Sequence, residues 1–245
     1  MISAVRRLGI VPFFRNSIPG WSVEELTDPD FWFTSSENLG PWDWKIDTVR
    51  EGDIAYGKFL GGKAAFATVE YYRHLMNWRR SLPKYRAALG EDFPARTESE
   101  KLMKRLAPAA LGAIRENGMC GTAEIRKAVA RLCPDIRKSL TDRIVQYLEM
   151  GTWVVTGDFT RVYRGACLEY SGWQRSSLTT PDELFRNVGK EDAGEPFWAR
   201  MFREQSGEVV SLEVDCTAEE SRMKLAEHIA QCSGCSCGKE ISRYL

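Results

Sequence analysis

Apolar and polar positions change period several times along this chain, and each change marks an element. In "GPWDWKID" and the residues after it, Trp42, Ile46 and Val49 recur at helical spacing. Proline suits a first helical turn and nothing breaks the run before Gly52, so a helix is predicted from Pro41. "DIAYGKFL" and "KAAFAT" flank Gly61-Gly62 and predict a tight hairpin. "VEYYRHLMNWRRSL" then returns to helical spacing, with Tyr72, Leu75, Met76 and Trp78 inward and Arg79 and Arg80 at its negative end. Residues 1–40 read as irregular. "PKYRAALGEDFPART" reads as a linker in which "KYRAAL" is at most a turn of helix.

The stretch from Ser99 to Arg164 carries the clearest pattern. "SEKLMKRLAPAALGAIRENG" predicts a helix ending at glycine. "GTAEIRKAVARL" predicts a second, opened by a threonine cap, and "PDIRKSLTDRIVQYLEMG" a third that stops at Gly151. "TWVVTGDFTRVYR" reads as a hairpin with Gly157-Asp158 at its tip. Three short helices followed by a hairpin predict a winged helix. The expected class is therefore α+β, a winged-helix module over residues 96–166 embedded between mixed α/β flanking segments, 1–95 and 167–245. In the last of these, "TPDELFRNV" and "EPFWARMFREQ" read as helical and "EVVSLEV" as a strand. "TAEESRMKLAEHIAQ" reads as a helix with a Thr217/Glu220 capping box.

Charge alters this picture. The chain is neutral overall, yet residues 73–164 hold eighteen Lys and Arg against ten Asp and Glu, between two acidic flanks. A basic stretch of that kind fits either a polyanion-binding face or a solvated helical surface. The exposed side of the third helix is a poor phosphate surface, because Asp142 and Glu149 accompany Lys138, Thr141 and Val145, with Arg137 on the flank. A protein-interaction role for the module therefore stays open beside a DNA-binding one. No apolar run is long enough to span a membrane, and seven cysteines without framework spacing suit a reducing compartment, so a cytoplasmic location is expected.

Candidate chemistry is sparse. Two tryptophans two residues apart on one helix cannot enter the same core, so Trp42 is expected inside, and Trp44 at an interdomain contact or a pocket wall. Asp43 and Asp47 on another face are candidate catalytic carboxylates, and Trp44 and Tyr56 candidate stacking groups for a base; packing and surface ion pairing would explain the same residues. Lys58 and Lys63 interleave with Tyr56 as on a nucleic-acid surface, and Arg79, Arg80, Lys127, Arg131, Arg137, Lys138 and Arg161 are candidate phosphate contacts. His228, Cys232, Cys235 and Cys237 supply soft ligands from one cluster only, so free thiols and no metal or other cofactor are expected. With two histidines, neither expected near a candidate nucleophile, Ser-His or Cys-His catalysis finds little support.

The order "PWDWK", "DIAYGKF", "NWRRS", a winged helix and "SGWQRSSLTTPDELF" resembles bacterial AlkZ-related proteins, a branch of the AlkZ-like winged-helix DNA glycosylases, over about residues 30–185. The resemblance implies a winged-helix architecture, affinity for duplex or damaged DNA, and a role in DNA repair. The glycosylases use a glutamine motif that this chain lacks: Gln146, Gln174, Gln205 and Gln231 form no Gln-x-Gln or Gln-x-Asp triplet. The chain is also shorter than a full tandem winged-helix glycosylase is expected to be. A non-catalytic relative that binds nucleic acid is the leading expectation, with a diverged glycosylase and a protein- or small-molecule-binding module as alternatives.

Overall fold

The computed structural model describes residues 1–33, 40–187, 211–235 and 238–245. They form a mixed α+β fold with two small antiparallel sheets, each backed by helices. The first sheet joins β1 (Ile10–Pro12), β2 (Ile54–Leu60) and β3 (Lys63–Thr68) in the order β1-β3-β2. β2 and β3 form the expected hairpin around Gly61-Gly62, both with positive φ. The amino terminus is not irregular: α1 (Ile2–Leu8) leads into β1, which pairs with β3 from Ile10↔Ala67 to Pro12↔Ala65. Three residues are too short a strand to leave a readable period.

α2 (Pro41–Arg50) begins at the expected proline, and α3 (Val69–Ser81) follows β3 directly. The stretch read as a linker is partly core: α4 (Pro83–Arg86) buries Tyr85, whose carbonyl accepts from Trp153 Nε1 at 2.8 Å. Arg79 and Arg80, expected to reach phosphate, are instead spent inside the fold. Arg79 is buried and donates to Tyr85 Oη at 3.0 Å and to the carbonyls of Phe59 and Tyr244 at 3.3 and 2.9 Å. Arg80 donates to the Thr152 carbonyl at 2.7 Å, and its guanidinium lies 4.4 Å from the centre of the Trp153 ring.

The second sheet has the order β4-β6-β5, from β4 (Met119–Gly121), β5 (Val155–Arg164) and β6 (Glu169–Thr179), and packs on α5 (Glu98–Asn117), α6 (Thr122–Ala130) and α7 (Lys138–Met150). Gly157-Asp158 is not a hairpin tip. It sits at a bulge inside β5, and the chain reverses near Gly165 and Leu168, both with positive φ, so the strand pair crosses residue 166. Thr122 is the first helical residue of α6 rather than its cap, which leaves that helix start without a side-chain cap.

After the short α8 (Pro181–Leu184), the expected helix "EPFWARMFREQ" and the first three residues of the expected strand "EVVSLEV" lie outside the described residues, and Ser211–Val214 is not strand. α9 (Ala218–Ser233) has its capping box, Glu220 N–H to Thr217 Oγ1 at 3.2 Å and Thr217 N–H to Glu220 Oε2 at 2.7 Å. It lies along α3, and α10 (Gly238–Tyr244) closes the chain. Leu225, Ile229, Ile241 and Tyr244 thereby join the core built by β1 to β3, whereas Leu106, Ile125, Ile144, Leu148 and Leu178 belong to a second core. β5 serves the first core through Val155 and Phe159 while its sheet covers the second.

α7 has two buried sides. Ile144 and Leu148 enter the second core as expected, but Thr141, Val145 and Glu149, expected on an open face, are also buried. Glu149 packs at Gly57 of β2 and accepts a backbone hydrogen bond from Lys58, and burial pushes its carboxyl up to about 7 against the pull of the Lys58 ammonium. The face of α7 that carries Glu149 is thus closed to a partner by the chain itself.

Because Arg79 ties α3, α4, β2 and the carboxyl-terminal helix together, Arg79→Met removes a donor from three acceptors, of which the Tyr244 carbonyl keeps the Gly61 N–H. It should destabilise the protein by about 2–4 kcal/mol, read as a shift in urea midpoint. A shift below about 0.5 kcal/mol would mean that the guanidinium is not structural.

Candidate functional site

α2 carries its first turn to β6, and the contact is polar. Pro41 and Gly40 set the helix start, so Asp43 stands in the first turn, where a carboxylate meets the positive end of the helix. On β6 the ladder shifts between Arg161↔Gln174 and Tyr163↔Tyr170, around Gly172 with φ +71. The bulge aims Tyr170 and Gln174 at the same point. Asp43 Oδ1 accepts from Tyr170 Oη and from Gln174 Nε2, each at 2.7 Å, and Arg161 Nε lies 3.9 Å away. Gln174 Nε2 also faces Tyr170 Oη at 3.0 Å and the Trp42 carbonyl at 3.3 Å. Three acceptors around one nitrogen fix the amide orientation. Its Oε1 is buried without a hydrogen-bond partner among the described residues. Tyr170 is pushed up to about 12, by burial first and then by its bond to Asp43.

Trp42 is not wholly in the core, as expected, but half-buried at its rim, with Nε1 donating to the Gly172 carbonyl at 3.1 Å. The core position beside it belongs to Lys45. Lys45 is 2% exposed, and its ammonium lies 2.9 Å from the centre of the Trp42 ring and 5.0 Å from that of Phe159. Burial pulls it down to about 7, partly opposed by Asp43. Phe33 and Trp173, both well exposed, flank Trp42 at 5.4 and 6.3 Å between ring centres.

The structure thus separates several residues that the sequence grouped. Asp43 is 1% exposed rather than turned outward, while Asp47 is exposed, because one helix residue faces β6 and the other solvent. Trp44 is half-buried and, among the described residues, is not one of the groups touching the Asp43 carboxylate. Tyr56 is a core residue between Phe13, Phe66 and Phe159, out of reach of a base. The bulge after Gly57 leaves Lys58 exposed beside buried neighbours, and Lys63 is exposed at the hairpin. Arg161 belongs to the Asp43 group. Tyr170, Gln174 and Lys45 escaped the sequence reading, although Lys45, within "PWDWK", and Gln174, within "SGWQRSS", stand in segments that carry the resemblance.

The remaining cations sit elsewhere. Lys127 and Arg131 are exposed at the end of α6, and Arg137 and Lys138 at the start of α7. A cleft of about 330 Å³ between them is lined by Thr122, Arg126, Lys138, Thr141, Asp142 and Arg175. Arg126 and Arg175 were not anticipated. A second cleft, of about 360 Å³, lies between the Gly61-Gly62 turn and α7 near Arg143 and Gln146. Asp43 lines neither.

Among the described residues no three His, Cys, Asp or Glu side chains converge as a metal would need, and Cys237 lies outside those residues. Both histidines, however, meet thiols, against expectation. His228 Nε2 is 3.4 Å from Cys232 Sγ, and His74 Nδ1 is 3.8 Å from Cys216 Sγ and 3.1 Å from Ser221 Oγ. No described helix is long and apolar enough to cross a membrane.

The folded protein sheds the Lys45 proton more readily than the unfolded chain, which therefore holds more protons between about pH 7 and 10.5. Stability should rise with pH across that window. Relative to Lys45→Met, wild-type protein should gain on the order of 1–2 kcal/mol between pH 7 and 9 in urea midpoints. Parallel curves for the two proteins would contradict this environment for Lys45.

Residues 1–245 match the family model described as AlkZ related, beyond the 30–185 that carried the resemblance. No curated protein and no solved structure matches the chain.

Proposed function

The chain belongs to the AlkZ-related family, and from that premise we propose that it is a winged-helix nucleic-acid-binding protein that does not itself excise bases. The observation that carries the reading is the group of exposed cations along α6, at the start of α7 and on the facing part of β6. Arg126, Lys127, Arg131, Arg137, Lys138 and Arg175 are exposed, and the first turn of α6 has no side-chain cap. Backbone N–H groups at a helix start and clustered Lys and Arg are the donors that a phosphate backbone recruits. The connectivity α5-β4-α6-α7-β5-β6, with sheet order β4-β6-β5, supports the winged-helix assignment. On this reading duplex DNA meets the amino-terminal end of α7, where Arg137 and Lys138 are exposed, while Glu149 near the other end packs on β2.

A non-excising role is supported by the Asp43 group. A carboxylate with 1% exposure, already accepting two hydrogen bonds at Oδ1, lacks room for a water and a sugar. It also borders neither cleft. Diverged excision of damaged bases at Asp43 is the second reading, favoured by the exposed rings of Phe33 and Trp173 beside it. Release of a free base from alkylated duplex, lost in Asp43→Asn, would establish that reading instead.

Binding to a short duplex should weaken steeply with salt. Lys127→Glu, Arg137→Glu and Lys138→Glu together should weaken it by about tenfold or more and lower the log-log salt slope by about 2–3, at about 0.9 per phosphate contact. Fluorescence anisotropy over a salt series reads both. An unchanged slope would overturn the assignment of this face.

A further inference from the structure

The seam between α3 and α9 holds a polar group that the nucleic-acid reading leaves unused. His74 and Asn77 come from α3, Cys216 precedes the cap of α9, and Ser221 lies one turn into it. Ser221 Oγ is the hub, 2.9 Å from Asn77 Nδ2, 3.1 Å from His74 Nδ1 and 3.2 Å from Cys216 Sγ. The Asn77 amide nitrogen can only donate, so Ser221 accepts from it and keeps its own hydrogen for the imidazole or the sulfur. Asn77 Nδ2 also donates to the Cys216 carbonyl at 2.9 Å, which fixes the backbone that presents the thiol.

His74 is 5% exposed, and its Nε2 is buried without a hydrogen-bond partner among the described residues. Burial, then Lys224 and Arg73, lower its pKa against the opposing pull of Glu70, so the ring is kept neutral. A neutral imidazole turned toward a hydroxyl and a half-buried thiol is a proton acceptor for that thiol, directly or through Ser221. Packing alone gives no reason for a buried histidine with one bare nitrogen beside a cysteine.

We infer that Cys216 is an oxidation site for small hydroperoxides, with His74 and Ser221 as positioning residues that move its proton. The thiol gives its proton to His74 by way of Ser221. The sulfur then attacks one peroxide oxygen, the S–O bond forms as the O–O bond breaks, and sulfur loses the two electrons that the peroxide gains. With hydrogen peroxide the departing hydroxide takes the proton back from His74, leaving a sulfenic acid and water. The relay supplies the proton that the leaving group of a hydroperoxide needs.

Full-length protein is treated with hydrogen peroxide, sulfenic acid is trapped with dimedone, and each cysteine is quantified by peptide mass spectrometry. Exposure alone would favour Cys167, which is open to solvent. Adduct should instead form at Cys216 about tenfold faster, and Ser221→Ala and His74→Gln should each slow Cys216 by about fivefold while Cys167 is unchanged. Loosened packing would expose the thiol and raise its labelling, so a fall separates proton relay from a structural effect. Labelling of Cys216 no faster than Cys167, or undiminished in Ser221→Ala, overturns the inference. If His74→Gln does not fold, the wild-type ratio and Ser221→Ala decide it.

Discussion

One helix is buried on two sides, and the arrangement of the molecule follows from it. α7 gives Ile144, Val145 and Leu148 to the second core, while Thr141 is also buried and Glu149 packs against β2. A helix used this way cannot offer its whole length to a ligand. Glu149 and Lys138 are eleven residues apart in sequence, about 16 Å along a helix axis. The closed and open ends of α7 are therefore well separated, and the exposed cations gather at the open one.

The same packing sorts the basic residues of the middle third. Arg79 and Arg80 satisfy carbonyls and lie on aromatic rings, and Arg161 stands by Asp43. A guanidinium held on buried carbonyls keeps its charge, but its N–H donors are engaged and it cannot reach a phosphate, so net charge over a stretch overstates the binding surface. Lys45 and Asp43 extend the point to α2. Both are desolvated at the join of α2 with β6, where their cost is offset by hydrogen bonds to Asp43 and by the aromatic faces around the ammonium.

Much of the helical skeleton could be read from the chain because local signals mark it: Pro41 and Gly52 bound α2, Gly61-Gly62 turns the hairpin, and Thr217 with Glu220 opens α9. β1 left no period in three residues. β6 was missed because "EYSGWQRSS" is polar and bulged, and a Gly-Asp pair inside β5 has the composition of a turn without being one. The side-chain groups were harder still. Asp43 meets Tyr170 across 127 residues of chain, and His74 meets Cys216 across 142, so spacing along the sequence carries no trace of either. The one cue that reached across was resemblance, which drew attention to the segment holding Gln174.

On the proposed reading nucleic acid is held by the open end of α7 and by α6, not by the α2 and β6 junction. Amide hydrogen exchange with and without a short duplex tests it directly. New protection confined to residues 122–131 and 137–142, with the facing part of β6, is the predicted result. Protection concentrated at residues 41–50 with none at 137–142 would contradict it.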